Sequence, residues 1–125
     1  MKIENIKFKA KRIDGKGWAI GDLLHSYENG AIIVTIEGGC AFSVAYSTVC
    51  QFTGEKDMNG NEIYIGDIIS NLETGSVVEV AWNDRLKRLD CNFLNADTGL
   101  NVPFGIFVSR YKRIVVLMSK FDKEK

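Results

Sequence analysis

The sequence is short of the residues from which most catalytic and metal sites are built. It has one histidine, His25, one proline, Pro103, and three cysteines, Cys40, Cys50 and Cys91. A single histidine excludes multi-histidine metal sites and makes any histidine-dependent mechanism hang on one position. Three cysteines without CxxC spacing argue against a disulfide framework or a zinc knuckle, and for reduced thiols in a cytosol. Cys50 and Cys91 sit among apolar neighbours and read as small buried hydrophobes rather than reactive thiols. Net charge is missing too, because 16 Lys+Arg offset 16 Asp+Glu. No global field then draws the chain toward nucleic acid or an anionic membrane, and such binding needs a local patch. The longest apolar run, Ala31–Ile36, is interrupted by Thr35 and falls far short of a membrane span. Met1-Lys2-Ile3-Glu4-Asn5 carries no apolar core of a signal peptide. The expectation is a cytoplasmic protein with no membrane partner.

What is present is a chain of 125 residues, 46% hydrophobic and 26% charged. That composition excludes disorder for the bulk of the chain. The length suits one domain, or two small lobes sharing a core. Strand signals dominate. Ile6–Lys11 alternates apolar and charged residues, the period-two pattern of a half-buried strand. Trp18–His25 is a second candidate, interrupted by Gly21-Asp22, and Ala31–Ile36 is a β-branched run bounded by Gly38-Gly39. Asn29-Gly30 and Asn59-Gly60 are two-residue hairpin signals, since both central positions of a type I′ turn need positive φ. Thr48–Thr53, Glu62–Ile65, Ile68–Leu72 and Ser76–Trp82 follow as short extended runs, with Val78, Val80 and Trp82 on one face. Arg85–Leu94 reads as a returning strand, although Leu86, Leu89, Phe93 and Leu94 stand near helical spacing. Asp97-Thr98-Gly99 is a loop, one helical turn fits after Pro103, and Ile106–Val108 and Arg113–Met118 are the last apolar runs. No window holds a helical stripe for three turns. The pattern predicts an all-β fold of short meandering strands, barrel-like or sandwich-like, with little helix.

The chemistry-bearing motifs fail on inspection. Gly15-Lys16-Gly17 begins like a dinucleotide-binding turn, but Ile20 stands where the third glycine belongs. Glu55–Gly60 resembles half of a calcium loop, but Gly66 occupies the position that needs a bidentate carboxylate. No serine sits in a nucleophile elbow to use His25. We therefore expect no enzyme, no metal and no cofactor. Three basic clusters remain: Lys7/Lys9/Lys11/Arg12, Arg85/Lys87/Arg88 and Arg110/Lys112/Arg113, with Trp82, Phe93 and Tyr111 near the last two. Basic residues beside aromatics could form a weak nucleic-acid patch from Arg85, Lys87, Arg88, Arg110, Lys112 and Arg113. Alternating lysines are equally the ordinary solvent face of a strand and a block to edge pairing.

The stretch from Gln51-Phe52-Thr53-Gly54 through Asp57, Asn59-Gly60, Ile63-Tyr64 and Gly66-Asp67 to Ile68-Ile69 resembles the signature of the YopX family, small proteins of phages, prophages and other bacterial mobile elements. Phe8-Lys9-Ala10, Gly17–His25, Ser47–Cys50 and Val78–Trp82 look like flanking parts of the same family, so the resemblance spans most of residues 8–82. Beyond it, Ile114–Met118 is followed by Ser119-Lys120-Phe121-Asp122, without the Gly-Asn or the Pro that the family often carries. The resemblance implies a β-rich fold in a bacterial host and brings no catalytic residue to transfer. The implied organisation is a single domain over 1–125 with an N-terminal β lobe at about 1–53 and an SH3-barrel-sized lobe at about 60–125. Within the signature, Asn59-Gly60 would turn the chain and Asp67 would cap it by bonding nearby N–H groups. That reads more simply as architecture than as a ligand site. The expected function is a non-enzymatic accessory module that binds a protein partner or itself, with nucleic-acid binding as the alternative. Ile114–Met118 has no charge, Gly or Pro. At a sheet edge it would favour a homo-oligomer.

Overall fold

The computed structural model describes residues 5–25, 31–35, 40–95 and 101–122. The turns expected at Asn29-Gly30 and Gly38-Gly39 and the loop Asp97-Thr98-Gly99 lie outside them. The chain divides into two compact units, Met1–Gly54 and Glu55–Lys125. The fold is all-β, in two antiparallel sheets. The first has the order β4-β3-β2-β1-β5-β6 and the second β10-β9-β8-β7-β11. Here β1 is Phe8–Lys11, β2 Trp18–His25, β3 Ala31–Thr35, β4 Ala41–Val44, β5 Cys50–Lys56 and β6 Glu62–Tyr64. Then come β7 Asp67–Asn71, β8 Val77–Asn83, β9 Arg88–Phe93, β10 Asn101–Pro103 and β11 Ile114–Ser119, with one helix, α1, at Phe104–Arg110. Both sheets are open, so the barrel closure allowed by the strand pattern is not what forms.

In the first unit, period-two alternation does what it should. Phe8 and Ala10 face inward with Ala19, Leu23, Ile33, Phe42 and Val44, while Lys9 and Lys11 stand opposite Ile20 and Trp18 on the other face. Gly21-Asp22 does not break β2. Gly21 pairs with Phe8 on one side and Thr35 on the other, and bonding on both edges outweighs the roughly 0.5–1 kcal/mol that glycine costs inside a strand.

In the second unit, Val78 and Val80 are fully buried and cross to Phe93 and Cys91 of β9. Trp82, on the same face, lies at the strand end and is half exposed. Residues 84–87 turn the chain before β9, which settles the strand reading of that segment. Helix α1 is longer than the one turn expected and absorbs Ile106–Val108. Phe104 and Phe107, three apart, bury one face, and Ile106 is left 57% exposed. Phe107 also stacks obliquely on Tyr111, ring centres 5.3 Å apart. These rings close a core with Ile63, Ile69, Val78, Val80, Cys91 and Ile114. Strands β4 and β10, which the sequence pattern did not suggest, both lie at sheet edges. Pairing on one side supports a strand whose own signal is weak.

Candidate functional site

The signature stretch folds into the β5–β6 hairpin and the turn into β7. The hairpin turn is not type I′. Gly60 N–H donates to Asp57 C=O at 3.0 Å, and Asp57 N–H donates to Asn61 C=O at 2.8 Å. Gly60 has φ +87°, but Asn59 keeps a negative φ. This is the three-residue hairpin loop, a turn of right-handed residues closed by one left-handed glycine. Asn59-Gly60 is thus a hairpin signal whose loop is one residue longer than expected.

The reason is Asp57. Its Oδ1 accepts the N–H groups of Asn59 at 2.9 Å and Asn61 at 2.8 Å, an Asx-type turn that stabilises the loop from within. Its Oδ2 accepts the Asn61 side-chain amide at 3.2 Å and the Val116 N–H at 2.9 Å. Burial acts to raise the Asp57 carboxyl pKa, and the donors from Val116, Asn61 and Asn59 outweigh it and hold it below its ordinary 3.8. Met58 N–H adds a bond to Ile114 C=O at 2.9 Å. One side of β11 is therefore covered by the hairpin, and the ladder between β11 and β7 slips between Val116 and Met118, leaving Leu117 as the extra residue of a bulge.

The second half of the signature makes a similar joint. Asp67 is completely buried, and its Oδ2 accepts the Tyr64 N–H at 2.8 Å. Gly66, at φ +103°, donates to Val80 C=O at 2.7 Å and accepts from Lys120 N–H at 2.9 Å. That left-handed backbone is open to glycine and strained for other residues. Ile63 and Tyr64 are both buried, and the Tyr64 hydroxyl donates to Glu62. Gln51, Phe52, Thr53 and Gly54 lie on β5 within the first unit. Phe52 is buried there with the Lys7 ammonium 5.0 Å from its ring centre.

The basic residues do not converge. Arg85 and Lys87 sit on the β8–β9 turn and Arg88 opens β9. Arg110 ends α1, and Lys112 and Arg113 precede β11, whose Ile114 aligns with Asn71 at the far end of β7. The seven residues of β8 separate the two groups, about 20 Å at the usual strand rise. Each group also has an acid in place. Arg88 pairs with the buried Asp90 at 2.6 Å and Lys87 with Asp84 at 3.4 Å. Glu73 accepts the N–H groups of Lys112 and Arg113 at 2.8 and 3.2 Å, and those bonds lower its pKa. In the first unit the Lys9 and Lys11 ammoniums lie 4.6 and 4.9 Å from the Trp18 ring centre.

Cys50 and Cys91 are buried. Burial, with the Asp90 charge beside it, pushes the Cys91 thiol up to about 12, so it stays protonated and inert. His25 ends β2. Among the described residues no three His, Cys, Asp or Glu side chains gather as metal ligands. Sequence reasoning did not pair Asp57 with Val116 or Asn61, and gave Glu73 no role. Val116 and Glu73 act across 59 and 39 residues of chain, and Val116 acts through its main chain, which leaves no side-chain signal.

These features define an all-antiparallel β protein whose signature carboxylates hold main-chain N–H groups. The family described as YopX protein matches residues 4–114, extending the resemblance to both sides of residues 8–82. The chain belongs to the YopX family. No curated protein matches it.

Proposed function

We propose that the protein is a non-enzymatic β module of a phage or integrated bacterial element, acting in the host cytoplasm by binding a protein partner or a second copy of itself. The observation that carries this reading is the solvent side of β11. This strand ends the second sheet, and at its bulge Leu117 is 51% exposed and the next residue, Met118, 41%. Met118 aligns with Ile68, which aligns with Glu79 on β8, and Lys120 reaches Glu79 at 3.6 Å. Apolar side chains rimmed by an ion pair are the composition of a contact surface. The absence of free chemistry in the signature agrees, because a carboxylate such as Asp57, held charged by four donors, has no lone pair placed for a substrate. No helix among the described residues is long and apolar enough to cross a membrane.

The test is molar mass by light scattering after size exclusion, at tens of micromolar protein. A multiple of 14.0 kDa that collapses to one copy in Leu117→Lys/Met118→Lys supports self-association through β11. A mass of one copy leaves a partner protein as the occupant, and capture that is insensitive to the same double substitution would move the contact away from β11. Val116 is unsuitable for this test, since it packs against the core.

A further inference from the structure

Beside α1, the second unit holds a cavity of about 230 Å³. Its walls are apolar, from Phe93, Val102, Ile106 and Phe107, and Asn71, Thr74, Ser76, Arg110 and Tyr111 complete the polar side. Two groups there have chemistry left over. Asn71 is fully buried, and its Oδ1 accepts the Glu73 N–H at 2.9 Å. That bond fixes which end of the amide is oxygen. Its Nδ2, with two N–H donors, meets no acceptor, and leaving a buried donor unpaired is unfavourable. Arg110 is exposed at the end of α1, and its guanidinium lies 5.8 Å from the Tyr111 ring. No carboxylate among the described residues pairs with it, whereas Arg12, Lys87, Arg88 and Lys120 each have one.

We infer that this cavity is a binding site for a small apolar carboxylate, a body the size of one ring or one branched side chain carrying a single anionic head. The volume is below the roughly 300–1,000 Å³ of sites for drug-sized ligands and cofactors, so one such group fills it. The apolar walls take the body. Arg110 offers the planar, two-pronged donor that matches a carboxylate, and Asn71 Nδ2 is a second donor that lacks an oxygen. The cavity is separate from the signature hairpin and from Leu117 and Met118, so the inference stands whatever the outcome for self-association. The same chemistry occurs in a free aromatic or branched acid and in the last residue of a polypeptide.

The experiment is an amide-correlation NMR titration of the full chain with 3-phenylpropionate, with N-acetylphenylalanine as the mimic of a chain end. The expected result is a saturable shift of the Asn71 side-chain NH2 pair and of the α1 amides. Arg110→Gln should weaken binding about tenfold or more, the loss of one charge-assisted pair, while Lys112→Gln, a neighbouring cation outside the cavity, leaves it unchanged. The uncharged 3-phenylpropionamide should bind about tenfold more weakly. Tighter binding of N-acetylphenylalanine would identify a chain end as the source, and tighter binding of 3-phenylpropionate a free acid. The inference is overturned if no saturable shift occurs up to about 10 mM. It is equally overturned if the Asn71 pair stays still, as it would when water alone satisfies it, or if Arg110→Gln and the amide bind as well as the originals.

Discussion

Among the described residues, the core of the unit Met1–Gly54 is Ala10, Ala19, Ile33 and Val44, with Cys50 and Phe52 also buried on β5, whereas the core of Glu55–Lys125 is Ile63, Ile69, Val78, Val80, Cys91, Phe104, Phe107 and Ile114. Two alanines let strands carry little side-chain volume, so each contact removes little apolar area from water. Two phenylalanines from a seven-residue helix remove far more. The polar content differs in the same sense. Asp57, Asp67, Asn71, Asp90 and Ser119, the buried polar residues among those described, all belong to the second unit. A larger apolar core can offset the desolvation of such groups, and they in turn fix register and turns. The lesson is that the second unit should be the more sensitive to single substitutions, and the more sensitive to acid.

The largest test of that contrast is Phe107→Ala, which should cost about 3–5 kcal/mol through transfer and cavity terms. Ile33→Val in the first unit should cost only about 0.5–1.5 kcal/mol. Urea unfolding followed by circular dichroism measures both, and equal losses would break the comparison. Next comes Asp57→Asn, which removes charge-assisted bonds to main-chain N–H groups and should cost about 1.5–3 kcal/mol at neutral pH. Because the folded pKa lies below the ordinary 3.8, this stabilisation is complete above that value and is lost as pH falls through the folded one. The parent should therefore lose stability in acid faster than the variant, and parallel acid limbs would assign the sensitivity to other carboxylates.

Gly60→Val comes third, at about 1–3 kcal/mol of backbone strain. A Cβ at Gly60 meets nothing within 4 Å, so φ +87° is the source of the cost. A midpoint shift no larger than that of an ordinary surface substitution would show that the loop adopts another turn. The smallest effect is expected at Lys87, the described non-glycine residue with positive φ, at +56°. Lys87→Gly should be neutral or stabilise by up to about 1 kcal/mol, since relief of left-handed strain exceeds the extra chain entropy of glycine. The exposed pair with Asp84 that it removes is worth little. A loss of 1 kcal/mol or more would give that pair a weight its exposure does not suggest.

What the sequence determined was local. Period two in Phe8–Lys11 and Val77–Asn83 made the strands legible, and Asn59-Gly60 made a hairpin legible, because alternation and turn chemistry depend on neighbours in the chain. Its family membership was legible for the same reason, through one contiguous signature. The tertiary structure decided what depends on register. It gave Asp57 its Val116 partner, 59 residues away. It placed Arg85, Lys87 and Arg88 at the opposite end of β8 from Lys112 and Arg113. It also turned Leu117 outward while Val116 stayed against the core. A strand's side chains change face when pairing slips by one residue, and the register of β11 shifts just past the Val116 N–H that the Asp57 carboxylate holds from the hairpin side. No window of the sequence contains both of those groups, so the exposed side of β11 and the cavity beside α1 became visible when the strands were paired.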